Sequence, residues 1–315
     1  MSARGLALIT VLWVLTLLSL IAASFSNSTR TEIKLAFNQA AVAQAEALAD
    51  AGVHAALLGL MASGQGGQWR VDGTVYGWRF GAGEIRVSVQ DEGGKIDLNV
   101  SPDALLKALM VAAGESSSDA DVLVDRIVDY RDINDLRQLN GAEDRDYSDA
   151  GLPYGAKDAP FEAVEELRQV YGMTAALFDR LAPALTVQAA QREPHEPTAP
   201  ALVRAALAGE VPDEAVAGDD APEDPEAYDL DAALGAVEPR SPPVPGELSA
   251  QDGEPLTPRS RTNFFTIHAE ARSDSGAVFV REAVVEIGTA SEPPYDFWGW
   301  KQGQRVLFPL AVETE

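Results

Sequence analysis

Residues 132–155 read DINDLRQLNGAEDRDYSDAGLPYG and crowd Asp132, Asp135, Glu143, Asp144, Asp146 and Asp149 into one loop with Gly141 and Tyr147. Carboxylates at this density suit a hard cation, since calcium takes about six to eight oxygens from carboxylates and carbonyls on a flexible loop. The D-x-[DN]-x-[DN]-G spacing of an EF-hand is absent. A solvated acidic loop is the other reading, and the residues alone leave both open. Paired carboxylates also serve glycoside hydrolysis, but no aromatic platform or cleft is legible around them. Little else in the chain offers chemistry. There is no cysteine, which removes disulfides, thiolate metal sites and thiol nucleophiles together. The three histidines, His54, His195 and His268, lie in three different segments, leaving a zinc site or a Ser-His-Asp triad little to build on. No catalytic residue is therefore assigned.

The chain has 315 residues, 46% of them apolar, enough for one large or two modest cores. Its formal net charge of −25 repels phosphate backbones and argues against nucleic-acid binding. Divalent cations and basic protein surfaces are the partners such a charge favours.

The acidic loop sits inside a helical stretch. Pro102-Asp103 opens a helix over 104–113, and 119–130 gives another with Val122, Leu123, Ile127 and Val128 on one side. Residues 161–171 and 174–185 supply two more, parted at Gly172. Strands flank this stretch. Residues 75–99 alternate at Ile85, Val87 and Val89 between glycine turns, and 264–287 alternate around the turn Ser273-Asp274-Ser275-Gly276. Residues 188–260 hold most of the prolines and many acids, with a short helix at 201–209, and read otherwise as a disordered acidic linker. The tail carries Tyr295, Phe297, Trp298 and Trp300, which cover the head or meet a partner.

Residues 6–25, LALITVLWVLTLLSLIAASF, carry no charge, and roughly 20 residues at about 1.5 Å each cover a bilayer core of about 30 Å. Arg4 precedes the run, so the short N-terminus stays cytoplasmic and the rest crosses. A cleaved secretory signal has a shorter apolar stretch of about 7–15 residues; a plain signal anchor fits the run itself. The next segment favours a third reading. Residues 28–60 contain no proline and no glycine before Gly52, so the helix continues out of the membrane for some thirty residues.

A short basic leader ending in Gly5 before such a helix resembles a type IV prepilin processing site. The resemblance implies cleavage by prepilin peptidase between Gly5 and Leu6, with methylation of the new amino terminus. Two positions depart from the common pattern. Leu6 stands where phenylalanine is usual, and Thr10 stands where a glutamate pairs with a neighbour's terminal amine. A carboxylate in lipid is costly unless paired, so a subunit lacking that partner does better without it. This departure, the stretch SFSNSTRTEIKLAFNQAAVAQAEALADAGV, the segment DEGGKIDLN and the phrase PFEAVEELRQVYGMTAALFDRLAPALTV are similar to the minor pseudopilin K family of the bacterial type II secretion system.

The resemblance implies an α+β fold: a pilin-like long helix packed on an antiparallel sheet, interrupted by a SAM-like helical domain. The chain then divides into a leader (1–5), the transmembrane and pilin helix (6–65), the first part of the sheet (66–101), the inserted domain (102–187), the linker (188–260), and strands and tail completing the sheet (261–315). It implies calcium in the inserted domain, where Asn140-Gly141-Ala142-Glu143-Asp144 and Tyr147 match best, with Asp132, Asp135, Glu143, Asp144 and Asp146 as candidate ligands. It further implies a single-pass inner-membrane subunit with a periplasmic head that caps and helps initiate the pseudopilus. Its partners would be I- and J-type minor pseudopilins, prepilin peptidase and the inner-membrane platform, with Thr10 marking the assembly position. A minor pilin of a type IV pilus and a signal-anchored periplasmic protein are the competing readings.

Overall fold

The computed structural model describes residues 3–62, 69–209, 239–242 and 259–308, with only the backbone for 3–10 and 22–31. The chain opens with one helix, α1 (Ala3–Met61). Two strands come next, β1 (Asp72–Arg79) and β2 (Gly83–Asp91), then the short β3 (Ile96–Asp97). Helices α2 (Asp103–Ala112), α3 (Ser117–Arg131), α4 (Asp144–Asp149) and α5 (Ala175–Leu181) precede β4 (Leu185–Thr186) and α6 (Ala201–Ala208). The chain closes on β5 (Phe264–Ser273), β6 (Val278–Ile287) and β7 (Tyr295–Gln302).

The five long strands form one antiparallel sheet in the order β1-β2-β5-β6-β7. Strand β2 pairs with β5 from Gly83↔Ser273 to Asp91↔Phe265, so everything between them is an insertion into a sheet that closes without it. On β2 the alternation is complete, with Ile85, Val87 and Val89 all buried. They meet Ile267, Ala269, Ala271, Ala283 and Val285 and the α1 side chains Leu48, Val53, Leu57 and Leu60. The helix approaches closely because its inner face is small. Ala45, Ala49 and Ala56 are buried there, and a Cβ on Gly52 would lie 2.9 Å from Ile85 Cγ2. Arg281 pins the same helix from the edge of the core, donating to Glu46 Oε1 (2.8 Å) and Asp50 Oδ1 (2.7 Å) beneath the Trp300 ring.

The inserted body has its own core, in which Leu106, Leu109, Met110, Ile127, Tyr147, Leu167, Leu177 and Leu181 are fully buried. Its base is the parallel pair of β3 and β4. Asp97 secures this base: it accepts from Asn99 N (2.8 Å) and Ala190 N (2.9 Å), while Arg131 donates to the neighbouring Leu98 carbonyl.

Three expectations change. Residues 161–171 form no α-helix; a 3-10 turn spans Val164–Gln169. Asn99 donates to Phe161 O (2.9 Å) and accepts from Phe161 N (2.8 Å), Ala163 is extended at φ −142°, and Gly172 at φ +87° ends the stretch, so its backbone is out of helix at both ends. The helix expected over 174–185 stops at Leu181 because Pro183 imposes a 3-10 turn, and Leu185 enters β4. The linker does not begin at 188. Residues 188–209 are ordered chain, with Ala189, Thr198, Ala199, Val203 and Ala206 buried, α6 packed on α2, and Gln90 Nε2 donating to Thr198 O (2.6 Å). Polar and proline-rich composition hid a run of small residues that fill gaps. The rest of 188–260 lies outside the described residues except 239–242 and 259–260, where Arg240 bridges to β1 and Ser260 binds Asp91. The tail aromatics form β7, an edge strand of the sheet.

Candidate functional site

Helix α3 carries Asp125 and Asp129, and its C-cap is Asp132, at spacings of four and three and hence on one face. Its N-terminus is capped by Ser116, which accepts from Asp119 N (3.1 Å). Each of the three carboxylates holds a residue of the adjoining loop. Asp132 Oδ1 accepts from Asn134 N (3.0 Å) and Nδ2 (2.8 Å), the buried Asp129 accepts from Gln138 N (3.1 Å), and Asp125 Oδ2 accepts from Asn140 N and Nδ2 (both 3.0 Å). The loop is thus laddered along the helix by carboxylates. Two glycines make room for them. A Cβ on Gly141 would lie 1.7 Å from Asp129 Oδ2, and one on Gly155 would lie 1.8 Å from Asp144 Oδ1.

The cluster is electrostatically loaded. Burial pushes Glu143 up to about 7, aided by repulsion from Asp129, Asp132, Asp158 and Asp135. Asp158 is raised by burial and by Asp144, Asp135 and Asp132; Asp129 is raised by burial against its Gln138 hydrogen bond. Glu143 Oε1 and Asp158 Oδ1 are buried without a hydrogen-bond partner. Buried carboxylate oxygens without donors call for a cation or a proton. Among the described residues, however, no three acidic or histidine side chains are arranged as a ligand set. The two findings differ in reach: charges interact over about 4–6 Å or more, whereas calcium ligands sit at about 2.3–2.6 Å. The donors fit a hard oxygen-binding cation in kind and are gathered without being closed on a centre.

Of the candidate ligands, Asp132, Asp135, Glu143 and Asp144 belong to this cluster. Asp146 does not join it with free oxygens: Oδ2 accepts Glu143 N (3.0 Å) at the start of α4, and Oδ1 accepts from Arg137 (3.0 Å). Sequence reasoning missed Asp129 and Asp158. Asp129 was masked by its apolar neighbours Ile127 and Val128 on a helix, and Asp158 by its distance along the chain, although its φ of +53° marks a constrained turn.

The second candidate feature is α1. Beyond the part that packs on the sheet, Ile33, Leu35, Phe37 and Val42 stand exposed, as do Val11–Ile21. Among the described residues no helix is long and apolar enough to cross a membrane. Of Gly5, Leu6 and Thr10 only the backbone is described, and the side chains of 6–10 and 22–25 lie outside the described residues. The histidines stay apart: His54 meets Phe297 and Trp300 edge-on, His195 meets Thr198, and His268 lies between Glu270 and Glu282.

A family model described as "Type II secretion system (T2SS), protein K" matches residues 89–190, from the end of β2 through the helical body to its base. Over that stretch the chain is similar to the type II secretion system protein K family. A putative type II secretion system protein K of Escherichia coli (strain K12) is 33% identical over 86 residues, covering 27% of this chain and 26% of that protein. The type II secretion system protein K of Pseudomonas aeruginosa is 29% identical over 190 residues, covering 52% of this chain and 56% of the relative. The chain thus spans between a quarter and just over half the length of the curated relatives it matches. A solved structure of the GspK-GspI-GspJ complex from the enterotoxigenic Escherichia coli type 2 secretion system aligns with a TM-score of 0.52 at 17% identity. That alignment covers 88% of this chain and 100% of the matched chain, and it carries the α+β fold.

Proposed function

We propose that the chain is a minor pseudopilin that caps the pseudopilus tip and helps start its assembly, a structural rather than catalytic role. The observation that carries this reading is the division of α1. Its C-terminal turns are buried on the sheet, while Ile33, Leu35, Phe37 and Val42 project uncovered from the same helix. A helix half buried on its own head and half left apolar suits packing against the helices of other subunits. The similar solved structure is a complex of K with I and J proteins, which supports I- and J-type minor pseudopilins as partners. On this reading residues 6–25 anchor the protein in the inner membrane, the head is periplasmic, and prepilin peptidase cuts after Gly5 and methylates Leu6. Thr10, lacking a carboxylate, leaves a tip subunit with nothing unpaired in lipid.

The acidic loop would hold calcium. Glu143 and Asp158 bring buried oxygens without donors, and Asp132, Asp135 and Asp144 add charge beside them. A bound divalent cation would supply charge neutralisation that fastens the loop, with no catalytic step.

Intact mass after extraction from cells tests the processing: loss of residues 1–5 with one methyl supports it, and a mass retaining Met1 sinks it. Co-purification with an I–J pseudopilin pair tests the assembly role; failure of the full chain to join the pair overturns it. Calcium is tested separately, because chelation should lower the Tm of the purified chain, and an unchanged Tm removes the site.

A further inference from the structure

The loop laddered along α3 does more than gather carboxylates. Its three aliphatic residues point outward: Ile133 is 84% exposed, Leu136 78% and Leu139 89%. Isolated exposed aliphatics are ordinary. Three within seven residues, each almost wholly in water on a loop whose backbone is pinned, are not explained by packing. From the geometry we infer that residues 132–140 form a docking tip whose occupant is a protein surface with an apolar pocket rimmed by lysine or arginine.

Two observations select this occupant. The first is charge. Between residues 132 and 149 the acids are Asp132, Asp135, Glu143, Asp144, Asp146 and Asp149, against only Arg137 and Arg145. Both arginines are already engaged, Arg137 by Asp146 (3.0 Å) and Arg145 by Asp149 (3.6 Å). Six carboxylates against two arginines leave this face net negative even with one divalent cation bound, so a surface that covers Ile133 and Leu136 meets negative charge. An acidic partner meets repulsion there, a neutral one strips water from the carboxylates without return, and a basic rim gains attraction. The same argument disfavours an anionic lipid surface and a second copy of a chain with net charge −25.

The second is rigidity. Asn134 Oδ1 accepts Leu136 N (2.9 Å), between the anchors that Asp132, Asp129 and Asp125 provide at Asn134, Gln138 and Asn140. The chain around each aliphatic residue is therefore held before any partner arrives. Preorganised apolar tips lose little conformational freedom on docking, which is how few residues come to dominate an interface.

The test uses the full chain in detergent and a fluorescent amphipathic helical peptide with one leucine face and one lysine face, monitored by anisotropy with and without calcium chelator. The peptide should bind, and the variant combining Ile133→Ser, Leu136→Ser and Leu139→Ser should bind at least about tenfold more weakly at unchanged charge. Asp132→Asn with Asp135→Asn should weaken binding less and flatten its salt dependence. A counterpart peptide with glutamate for lysine should not bind. Equal binding by the serine variant would mean bulk charge attraction and overturns the proposal. So does equal binding of the glutamate peptide, tip-dependent binding to phosphatidylglycerol vesicles in its place, or a change of oligomeric state in the serine variant. Because the exposed tips make no core contacts, the serine variant should keep the wild-type circular dichroism. The assay uses neither pseudopilin partners nor the membrane, so its failure leaves the assembly reading standing.

Discussion

Around the sheet, α1 and the inner strand faces meet mostly through side chains without charge; around the acidic loop, α3 meets the adjoining chain through three carboxylates. The first contact is made by area, the second by directed hydrogen bonds to groups that repel one another. Area is indifferent to pH and to cations, whereas a carboxylate ladder answers to both. One molecule therefore carries a passive half, suited to holding a helix, and a conditional half, suited to binding.

The largest effect should come from the passive half. Ile267 is fully buried between α1 and the β2 and β6 neighbours, and Ile267→Ala removes its contacts and leaves a cavity. The expected loss is about 2–5 kcal/mol by denaturant unfolding, unaltered by calcium or by pH near neutrality. A loss that chelation changes would break the contrast.

Next comes the ladder itself. Asp129→Ala strips the acceptor from Gln138 N in a part-buried hydrogen bond, at a cost of about 0.5–1.5 kcal/mol. Amide exchange should quicken at Gln138 while the β2 and β5 amides keep their protection. Equal loosening of both regions would show that the loop is not separately held.

These two regions were unequally legible in the sequence. The strands showed themselves because Ile85, Val87 and Val89, and the Ser273–Gly276 turn, obey a period of two over enough residues. The acidic loop was visible as composition, but its construction was not. Asp125 and Asp129 act on residues 15 and 9 positions away, Gly141 and Gly155 matter only because carboxylates pass over them, and Asp146 looked like a ligand while serving as a cap. Nor did composition reveal residues 188–209 as packed chain, since small residues filling a surface gap leave no period.

The third expectation concerns protons. Glu143 is held at about 7 in the folded chain against an ordinary value near 4.5. An acid raised in this way binds more protons folded than unfolded, so stability falls as pH rises between those values. In chelator, lowering the pH from about 8 to about 6 should steady the loop, read by its amide exchange, and Glu143→Gln should flatten that response. His268 on β5 is also raised, by Glu270 and Glu282 against its burial, and its contribution likewise fades as pH rises past its folded value. His268→Gln should leave the loop response intact. If it abolishes that response, the pH dependence belongs to the sheet.

The smallest effect tests how separate the halves are. Lys301 on β7 sits 2.5 Å from Glu165 of the helical body and 3.1 Å from Glu282 of β6, with its side chain about half exposed. Ion pairs in that setting contribute about 0–1 kcal/mol. Lys301→Met should therefore shift Tm only slightly, because Glu282 keeps His268 and the body remains tied through Gln90 to Thr198 and through His195 N to Gly93 O. A loss well above about 1 kcal/mol would mean that charge across the junction, rather than these hydrogen bonds, fixes the body on the sheet. Changes at the acidic loop would then be felt by α1, and the two halves would respond as one.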